Sequence, residues 1–439
     1  MGNRQSSKRS KRIQPSAFDQ FEEVSRANIL DKSSSSTLSA SLDYTHVFSL
    51  GQCDKGQLGR GIFKEDDCEA HPLGPITELH YDSQHMSELN GMERLHMDSK
   101  VLMDIKSVAA GRSHFLIVTN SNKLYGSGFN NYAQLGISEQ EQYITRFREI
   151  KLPENVNTID HVAAGWFHSI VVCDKNKVFS AGHCYFGQTF NVPQEGGFRR
   201  ASKLDFLQRD GSHVTQASAA TFSSSLLVDG WKIYACGEMD GNSNGNYLVP
   251  GCEIFKRETI KTFKHADKGL VVVSESGSVF FSDKTTPFRM ILNNCLSFVP
   301  SHMYDTTFFL TKKSKSLTEC QLGPLTCRSH VEINALAEKY GIENIQIFCG
   351  YCFYYLAVNK KRLYSINGSE LKEIMNLEGI STQVSIKDVV SSSDCTYIVF
   401  EKNGSTVSEK MMKTRMLTND RFADMAIRTQ TEELNQWSC

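Results

Sequence analysis

The chain has 439 residues, with 48 Lys and Arg against 49 Asp and Glu, which gives a formal net charge of -1. Its hydrophobic share of 40% and charged share of 22% are typical of a globular protein and exclude collagen-like and wholly disordered classes. No stretch has the roughly 18 consecutive apolar residues that a membrane-spanning helix needs. A chain of this length exceeds the usual size of one hydrophobic core, so we expect several domains or a repeat architecture.

The amino-terminal residues 1–42 differ in composition from the rest of the chain. Five of the first twelve residues are Lys or Arg, and a serine run follows at 33–36. Such a segment buries too little apolar surface to fold alone, so we predict a disordered basic arm. Within the arm, residues 18–24 (Phe-Asp-Gln-Phe-Glu-Glu-Val) could form one helical turn against a partner.

The first residues of the arm indicate a membrane anchor. Residues 1–6 fit the Met-Gly-x-x-x-Ser pattern for N-myristoylation at Gly2. One acyl chain binds a bilayer only marginally, so a basic cluster is the second signal that stable anchoring to an anionic leaflet requires. The basic residues are Arg4, Lys8, Arg9, Lys11 and Arg12. We therefore expect a peripheral protein at the cytoplasmic face of a membrane. The same cluster also fits a nuclear import signal, an arm that contacts DNA phosphates, or a solubilising tail.

The middle of the chain repeats one pattern. Segments that begin at 105, 159 and 213 each contain a small-residue stretch, an apolar run, a polar turn and a strand that ends in Gly. A half copy precedes them at 47–59. We identify the following as structural residues of the repeat: Gly51, Gly111, His114, Gly128, Gly165, His168, Gly182 and Gly237.

Several short antiparallel strands in each unit predict a propeller blade rather than a helical solenoid. Opening segments near 105, 159, 214, 262, 299, 345 and 386 predict seven blades within residues 43–404. The region begins with a closing half and ends with an opening half, so we expect these halves to pair and close the ring. The strand pattern is lost over residues 405–439, where we expect a tail or a short helix.

These repeats resemble the regulator-of-chromosome-condensation repeat family. Its units read Val-Ala-Ala-Gly-x-x-His, a strand, and then Gly-x-x-x-x-Gly-Gln-Leu-Gly. The matches are strong over 47–59, 105–136 and 159–188, fair over 213–245 and 345–368, and faint over 260–340. The resemblance implies an all-β, seven-bladed propeller.

The sequence contains no motif of bond-making catalysis, phosphate binding or metal ligation. We interpret His114 and His168 as hydrogen-bonding residues between blades, because they recur at the same position of each repeat. The 13 cysteines lie mostly in apolar stretches, and the chain has no secretory signal, so we expect buried reduced thiols. We therefore predict a non-enzyme without metal, cofactor or small-molecule substrate.

The family resemblance implies a protein partner, with nucleotide exchange on a small GTPase as the sharpest hypothesis. The founding member acts on Ran through an inserted β-hairpin, and no closing turn of this sequence carries such an insertion, so another GTPase is the expected partner. The alternatives are a nuclear, chromatin-associated propeller and a substrate adaptor of a ubiquitin ligase. DNA binding is the less favoured interpretation, because the whole chain is almost neutral.

Overall fold

A computed structural model describes these residues: 47–61, 71–75, 79–80, 105–138, 140–191, 197–238, 248–266, 269–283, 286–300, 306–311, 316–322, 326–329, 331–349, 354–367, 370–378, 384–392 and 395–402. All of them except Lys402 belong to one compact unit, Met1–Glu401. The arm expected at 1–42 and the tail expected at 405–439 lie outside the described residues.

The described strands form seven sheets, which are the blades of a propeller. The first described strands are β1 (Val47–Gly51), β2 (His71–Pro75) and β3 (Leu79–His80). Blade 1 is formed by β4 (Ile105–Ala110), β5 (His114–Thr119), β6 (Leu124–Phe129) and β7 (Tyr143–Ile150), with β3 parallel to β7 at its outer edge. Blade 2 is formed by β8 (Ile159–Ala164), β9 (His168–Cys173), β10 (Lys177–Gly182) and β11 (Arg199–Arg200). Blade 3 is formed by β12 (Val214–Ala219), β13 (Ser223–Val228) and β14 (Lys232–Gly237).

The remaining blades come from the part of the chain where the repeat is faint, and from its ends. Blade 4 is formed by β15 (Ile260–Ala266), β16 (Gly269–Ser274), β17 (Val279–Ser282) and β18 (Arg289–Leu292). Blade 5 is formed by β19 (Cys295–Pro300), β20 (Thr306–Thr311), β21 (Ser316–Gln321) and β22 (Thr326–Ser329). Blade 6 is formed by β23 (Ile345–Cys349), β24 (Tyr354–Val358), β25 (Arg362–Asn367) and β26 (Glu370–Asn376). Blade 7 is formed by β27 (Val384–Ser391), β28 (Cys395–Lys402), β1 and β2.

The ring closes by pairing of the two chain halves, as predicted. β1 pairs antiparallel with β28 from Val47 opposite Val399 to Gly51 opposite Cys395. The Lys387 ammonium of β27 also donates a 2.8 Å hydrogen bond to the carbonyl of Ile105 in blade 1. The seven-bladed fold and its closure by the terminal halves are therefore confirmed.

The apolar core is divided among the seven interfaces between neighbouring blades. Alternate residues of a strand point to opposite sides of its sheet. In β5, Phe115 and Ile117 therefore pack against blade 7, whereas Leu116 and Val118 pack against blade 2. Because both sides of each blade are buried, the second strands β5, β9, β13 and β16 are buried at every position rather than at alternate ones.

Connections between strands divide the propeller into two faces. We call "loop face" the side with the connections from first to second and from third to fourth strand of each blade. We call "turn face" the side with the tight second-to-third turns and the connections between blades. Because β1 is the third strand of blade 7, its first residue, Val47, lies at the turn face.

Short helices lie in the connections between blades. Among the described residues they are a 3₁₀ turn at Ser202–Leu204, α1 (Phe206–Arg209), a 3₁₀ helix at Cys252–Lys256, α2 (Val331–Tyr340) and a 3₁₀ turn at Ile342–Asn344. The strand pattern of the sequence does not predict α2, which packs Ile333 and Ala337 between blades 5 and 6. In the described part of the chain, no helix is long and apolar enough to cross a membrane.

Seven described cysteines are buried free thiols, whereas Cys320 is not a free thiol. Burial raises the pKa of Cys173 and Cys295 to about 12 and that of Cys252 to about 11, so these thiols stay protonated. Cys320 in β21 is disulfide-bonded instead. The expectation of reduced thiols therefore fails at this residue.

Candidate interaction surface on the loop face

The two repeated histidines lie between blades. Nε2 of His114 in blade 1 shares a 3.0 Å hydrogen bond with Oγ of Ser169 in blade 2. Nε2 of His168 shares a 2.8 Å bond with Oγ of Ser224 in blade 3. Burial lowers the pKa of both imidazoles to about 3, so both are neutral at physiological pH. Their geometry holds adjacent blades together and leaves neither ring accessible as a catalytic base.

The glycine that precedes each histidine gives the ring its space. The Gly111 N–H donates a 2.8 Å hydrogen bond to the His114 carbonyl, which closes the loop. A Cβ atom on Gly111 would lie 2.2 Å from Cε1 of His114, and one on Gly165 would lie 2.1 Å from Cε1 of His168. A side chain at either position would therefore displace the histidine that bonds the next blade.

The glycines that end the third strands bring the two loops of a blade together. Gly182 has φ of 99°, and a Cβ atom there would lie 2.3 Å from the Phe167 carbonyl oxygen. The next N–H, from His183, donates a 2.8 Å hydrogen bond to that same oxygen. The remaining third-strand glycines also have positive φ: Gly51, Gly128 and Gly237.

A buried glutamine shapes the third-to-fourth loop of the well-matched repeats. Oε1 of Gln134 accepts the Tyr132 N–H at 3.0 Å, and Oε1 of Gln188 accepts the Phe186 N–H at 2.9 Å. Gln57 does the same for the Lys55 N–H at 2.8 Å. The glutamines are 0–1% exposed. Each buried side chain therefore holds the loop backbone in place, while the residue that it bonds lies on the loop face.

The loop face of blades 1 to 3 carries a continuous cluster of aromatic side chains, which we call the aromatic patch. Its members are Phe129, Tyr132, Tyr143, Trp166, Phe167, His183, Tyr185, Phe186 and Phe222. The ring centroids of Tyr132 and Phe167 are 5.1 Å apart, and those of Phe186 and Phe222 are 4.8 Å apart. Both pairs connect neighbouring blades.

Two residues of the aromatic patch are more exposed than the others. The exposed fraction is 76% for Tyr185 and 39% for Phe186, whereas the other rings are half-buried. A contiguous exposed apolar surface marks a site of interaction with a protein, a membrane or a ligand. Tyr, Trp and Arg are also the residue types that dominate binding energy at protein interfaces.

Arg112 adds a positive charge to this apolar surface. Its guanidinium carbon lies 4.6 Å from the ring centroid of Trp166 and 5.6 Å from that of Phe167. Arg112 and Trp166 occupy equivalent loop positions in blades 1 and 2, which explains why they stack. The planar guanidinium can bind a carboxylate while it remains on the indole.

The constant positions of the repeat do not predict the aromatic patch, although other positions of the sequence carry a signal for it. Trp166-Phe167 and Phe222 occupy the variable positions of the Gly-x-x-His turn, and Tyr132 and Phe186 stand two residues before the loop glutamines. Comparing only the constant positions of the repeats hides the residues that differ. The residues assigned to the membrane anchor, Gly2 and its basic cluster, lie outside the described residues.

Comparisons with known proteins agree with this fold. The family model of the regulator of chromosome condensation (RCC1) repeat matches residues 105–134, which contain the first three strands of blade 1 and part of the following loop. Residues 105–134 therefore carry an RCC1 repeat. Prp20p of Saccharomyces cerevisiae has the same fold, with a TM-score of 0.56, 12% identity, and coverage of 88% of this chain and 98% of that one. Its structure was described together with its binding to Gsp1p and histones.

Two sequence relatives carry the names of exchange factors. Guanine nucleotide exchange factor SRM1 of Saccharomyces cerevisiae is 33% identical over 31% of this chain and 24% of its own length. The human RCC1-like G exchanging factor-like protein is 26% identical over 48% of this chain and 41% of its own length. The match thus spans less than half the length of these relatives.

Proposed function

We propose that this RCC1-repeat propeller binds a small GTPase through the aromatic patch and regulates its nucleotide state. The observation that carries the proposal is the aromatic patch, in which Tyr185 and Phe186 are the most exposed residues and Arg112 adds a positive charge. Residues 105–134, where the repeat model matches, supply Arg112, Phe129 and Tyr132 to this surface. Relatives named as exchange factors support a GTPase as the partner.

Nucleotide exchange needs a binding surface rather than bond-making residues. An exchange factor accelerates release because it binds the nucleotide-free GTPase more tightly than the loaded form, which is a difference in affinity between two states. The described residues hold no group of three or more His, Cys, Asp or Glu side chains that could bind a metal. His114 and His168 are neutral and buried. An aromatic surface with one cation is suited to recognition of a folded protein.

A release assay tests this function. We expect the full chain to accelerate release of a fluorescent GDP analogue from one member of a GTPase panel, and to bind that member most tightly without nucleotide. The Tyr185→Ala/Phe186→Ala variant should lose at least about tenfold in affinity, because exposed aromatic anchors dominate such interfaces. No accelerated release from any GTPase in the panel would contradict exchange. A stable multiprotein set without a GTPase would favour a scaffold.

We also propose, from the sequence of the arm alone, that Gly2 is myristoylated and holds the protein at a cytoplasmic membrane surface. Labelling of cells with an alkyne-myristate analogue, followed by membrane fractionation, tests this. Wild type should be labelled and membrane-bound, and Gly2→Ala should lose both properties. An unlabelled wild-type protein that accumulates in nuclei would contradict the anchor and favour a nuclear import signal.

A further inference from the structure

The aromatic patch and one segment of the arm are chemically complementary. Residues 18–24 place Phe18, Phe21 and Val24 at three-residue spacing, with Asp19 and Glu22–Glu23 between them. The patch offers rings for aromatic contact and the Arg112 guanidinium for a carboxylate. Aromatic residues separated by acids are therefore the kind of ligand that this surface favours.

The connection is long enough for the segment to reach the patch of its own molecule. Residues 25–46 provide 22 residues between the segment and Val47. At about 3.3 Å per extended residue they span at most roughly 70 Å. Val47 lies on the turn face in blade 7, next to blade 1, and a six-residue strand crosses a blade in about 20 Å. The path around the ring edge to the loop face of blades 1 and 2 is thus well within reach.

We propose that residues 18–24 bind the aromatic patch of the same molecule, with Phe18 and Phe21 against its rings and an arm carboxylate against Arg112. The segment then competes with an external partner, and only this consequence rests on the proposed function. Tethering sets an effective concentration on the order of 1 mM. A segment with an intrinsic Kd of about 0.1–1 mM would therefore lower the apparent affinity for a partner by about two- to tenfold.

Radical footprinting of the full chain, without any GTPase, tests the contact itself. We expect oxidation of Tyr185 and Phe186 to proceed at least about twofold faster in Phe18→Ala/Phe21→Ala than in wild type, because the rings lose their cover. The matched control is Ser33→Ala/Ser34→Ala in the same arm, which should behave as wild type. Equal rates in wild type and the phenylalanine variant would overturn the proposal.

Charge reversal tests the pairing with Arg112. Arg112→Glu should expose Tyr185 as the phenylalanine variant does, and the addition of Asp19→Lys/Glu22→Lys should restore wild-type protection. If Arg112→Glu and Asp19→Lys/Glu22→Lys each expose the patch and their combination does not restore protection, the ion pair is wrong. Protection that increases with protein concentration would identify a second copy as the occupant and overturn binding within one molecule.

Affinity for the GTPase separates this proposal from the proposed function. Phe18→Ala/Phe21→Ala should bind the partner about two- to tenfold more tightly than wild type. If no GTPase binds either protein, the footprinting result still decides whether the segment covers the patch. If a GTPase binds both equally and footprinting shows no difference, the self-binding is wrong and the proposed function stands.

Discussion

Blades 1 to 3 and blades 4 to 6 have the same architecture and different means of joining neighbours. In the first group, imidazoles bond serine hydroxyls of the next blade, as in the His114–Ser169 and His168–Ser224 pairs. Between blades 6 and 7, the Tyr355 and Thr396 hydroxyls share a 2.7 Å hydrogen bond instead. Thr396 therefore supplies a hydroxyl as the serines of blades 2 and 3 do, but its partner is a tyrosine instead of a histidine.

The boundary between blades 3 and 4 also pairs a serine with a histidine, but here the serine lies in the earlier blade and the histidine in the later one. Oγ of Ser225 in blade 3 lies 3.2 Å from Nδ1 of His265 in blade 4. The Ser218 hydroxyl also accepts the backbone N–H of His265 at 2.9 Å. Buried polar bonds thus join several pairs of neighbouring blades, and different residue pairs supply them. The loops of blades 1 and 2 keep the repeat motif, and there it also holds the aromatic patch in place.

The largest expected difference between the regions is in acid stability. The pKa of His114 and His168 is about 3 in the fold against about 6.5 when unfolded, so the unfolded chain binds more protons between these values. Stability is therefore lost as pH falls from about 6.5 towards 3, by about 2 kcal/mol for each imidazole at pH 5. We expect denaturant unfolding at pH 8 and pH 5 to differ by about 4 kcal/mol from this pair.

The variant His168→Gln isolates one imidazole in that measurement. Glutamine can still bond Ser224 but does not titrate, so the pH 8 to pH 5 difference should shrink by about 2 kcal/mol relative to wild type. An unchanged difference would mean that other groups account for the acid sensitivity.

Truncation of the same histidine tests the bond itself. His168→Ala removes the partner of the buried Ser224 hydroxyl and leaves a cavity, so we expect the free energy of unfolding to fall by about 3 kcal/mol. The exposed His213 is the matched control, and His213→Ala should change stability by less than about 0.5 kcal/mol. Equal effects in urea titrations of the two variants would contradict the role assigned to His168.

The corresponding bond in the degenerate half should contribute less. Tyr355→Phe keeps the ring in its buried site and removes only the hydroxyl bonded to Thr396, so we expect a loss of about 1–2 kcal/mol. Tyr185→Phe, which alters an exposed hydroxyl, serves as the control with no measurable change expected. A cost for Tyr355→Phe as large as that for His168→Ala would remove the contrast between the two regions.

The fold could be predicted from the sequence because strand periodicity survives where motifs are lost. The predicted openings near 262 and 299 correspond to β15 at Ile260 and β19 at Cys295, although these units lack the Gly-x-x-His and Gly-Gln-Leu-Gly motifs. Burial on both sides of a blade keeps strands such as Leu270–Val273 apolar whatever the loops contain. The inserted α2 was missed because its apolar positions, Ile333 and Ala337, are few within one short helix.

The candidate site could be predicted only in part. Constant residues such as Gly111 and His114 were identified because they recur, and they form the scaffold of the loops. Tyr185 and Arg112 occur at positions that vary between repeats, so the constant positions of the repeat do not single them out. Their proximity depends on the rotation from one blade to the next, which only the folded ring provides.

The most direct test of the central claim is to measure the affinity of two surface variants for the nucleotide-free GTPase. Tyr185→Ala/Phe186→Ala alters the loop face, and Met290→Ala alters a residue with 60% exposure on the outer strand of blade 4. We expect the first variant to lose at least about tenfold in affinity at unchanged stability, and the second to bind as wild type does. Equal affinity of wild type and the Tyr185→Ala/Phe186→Ala variant would contradict the aromatic patch as the binding surface.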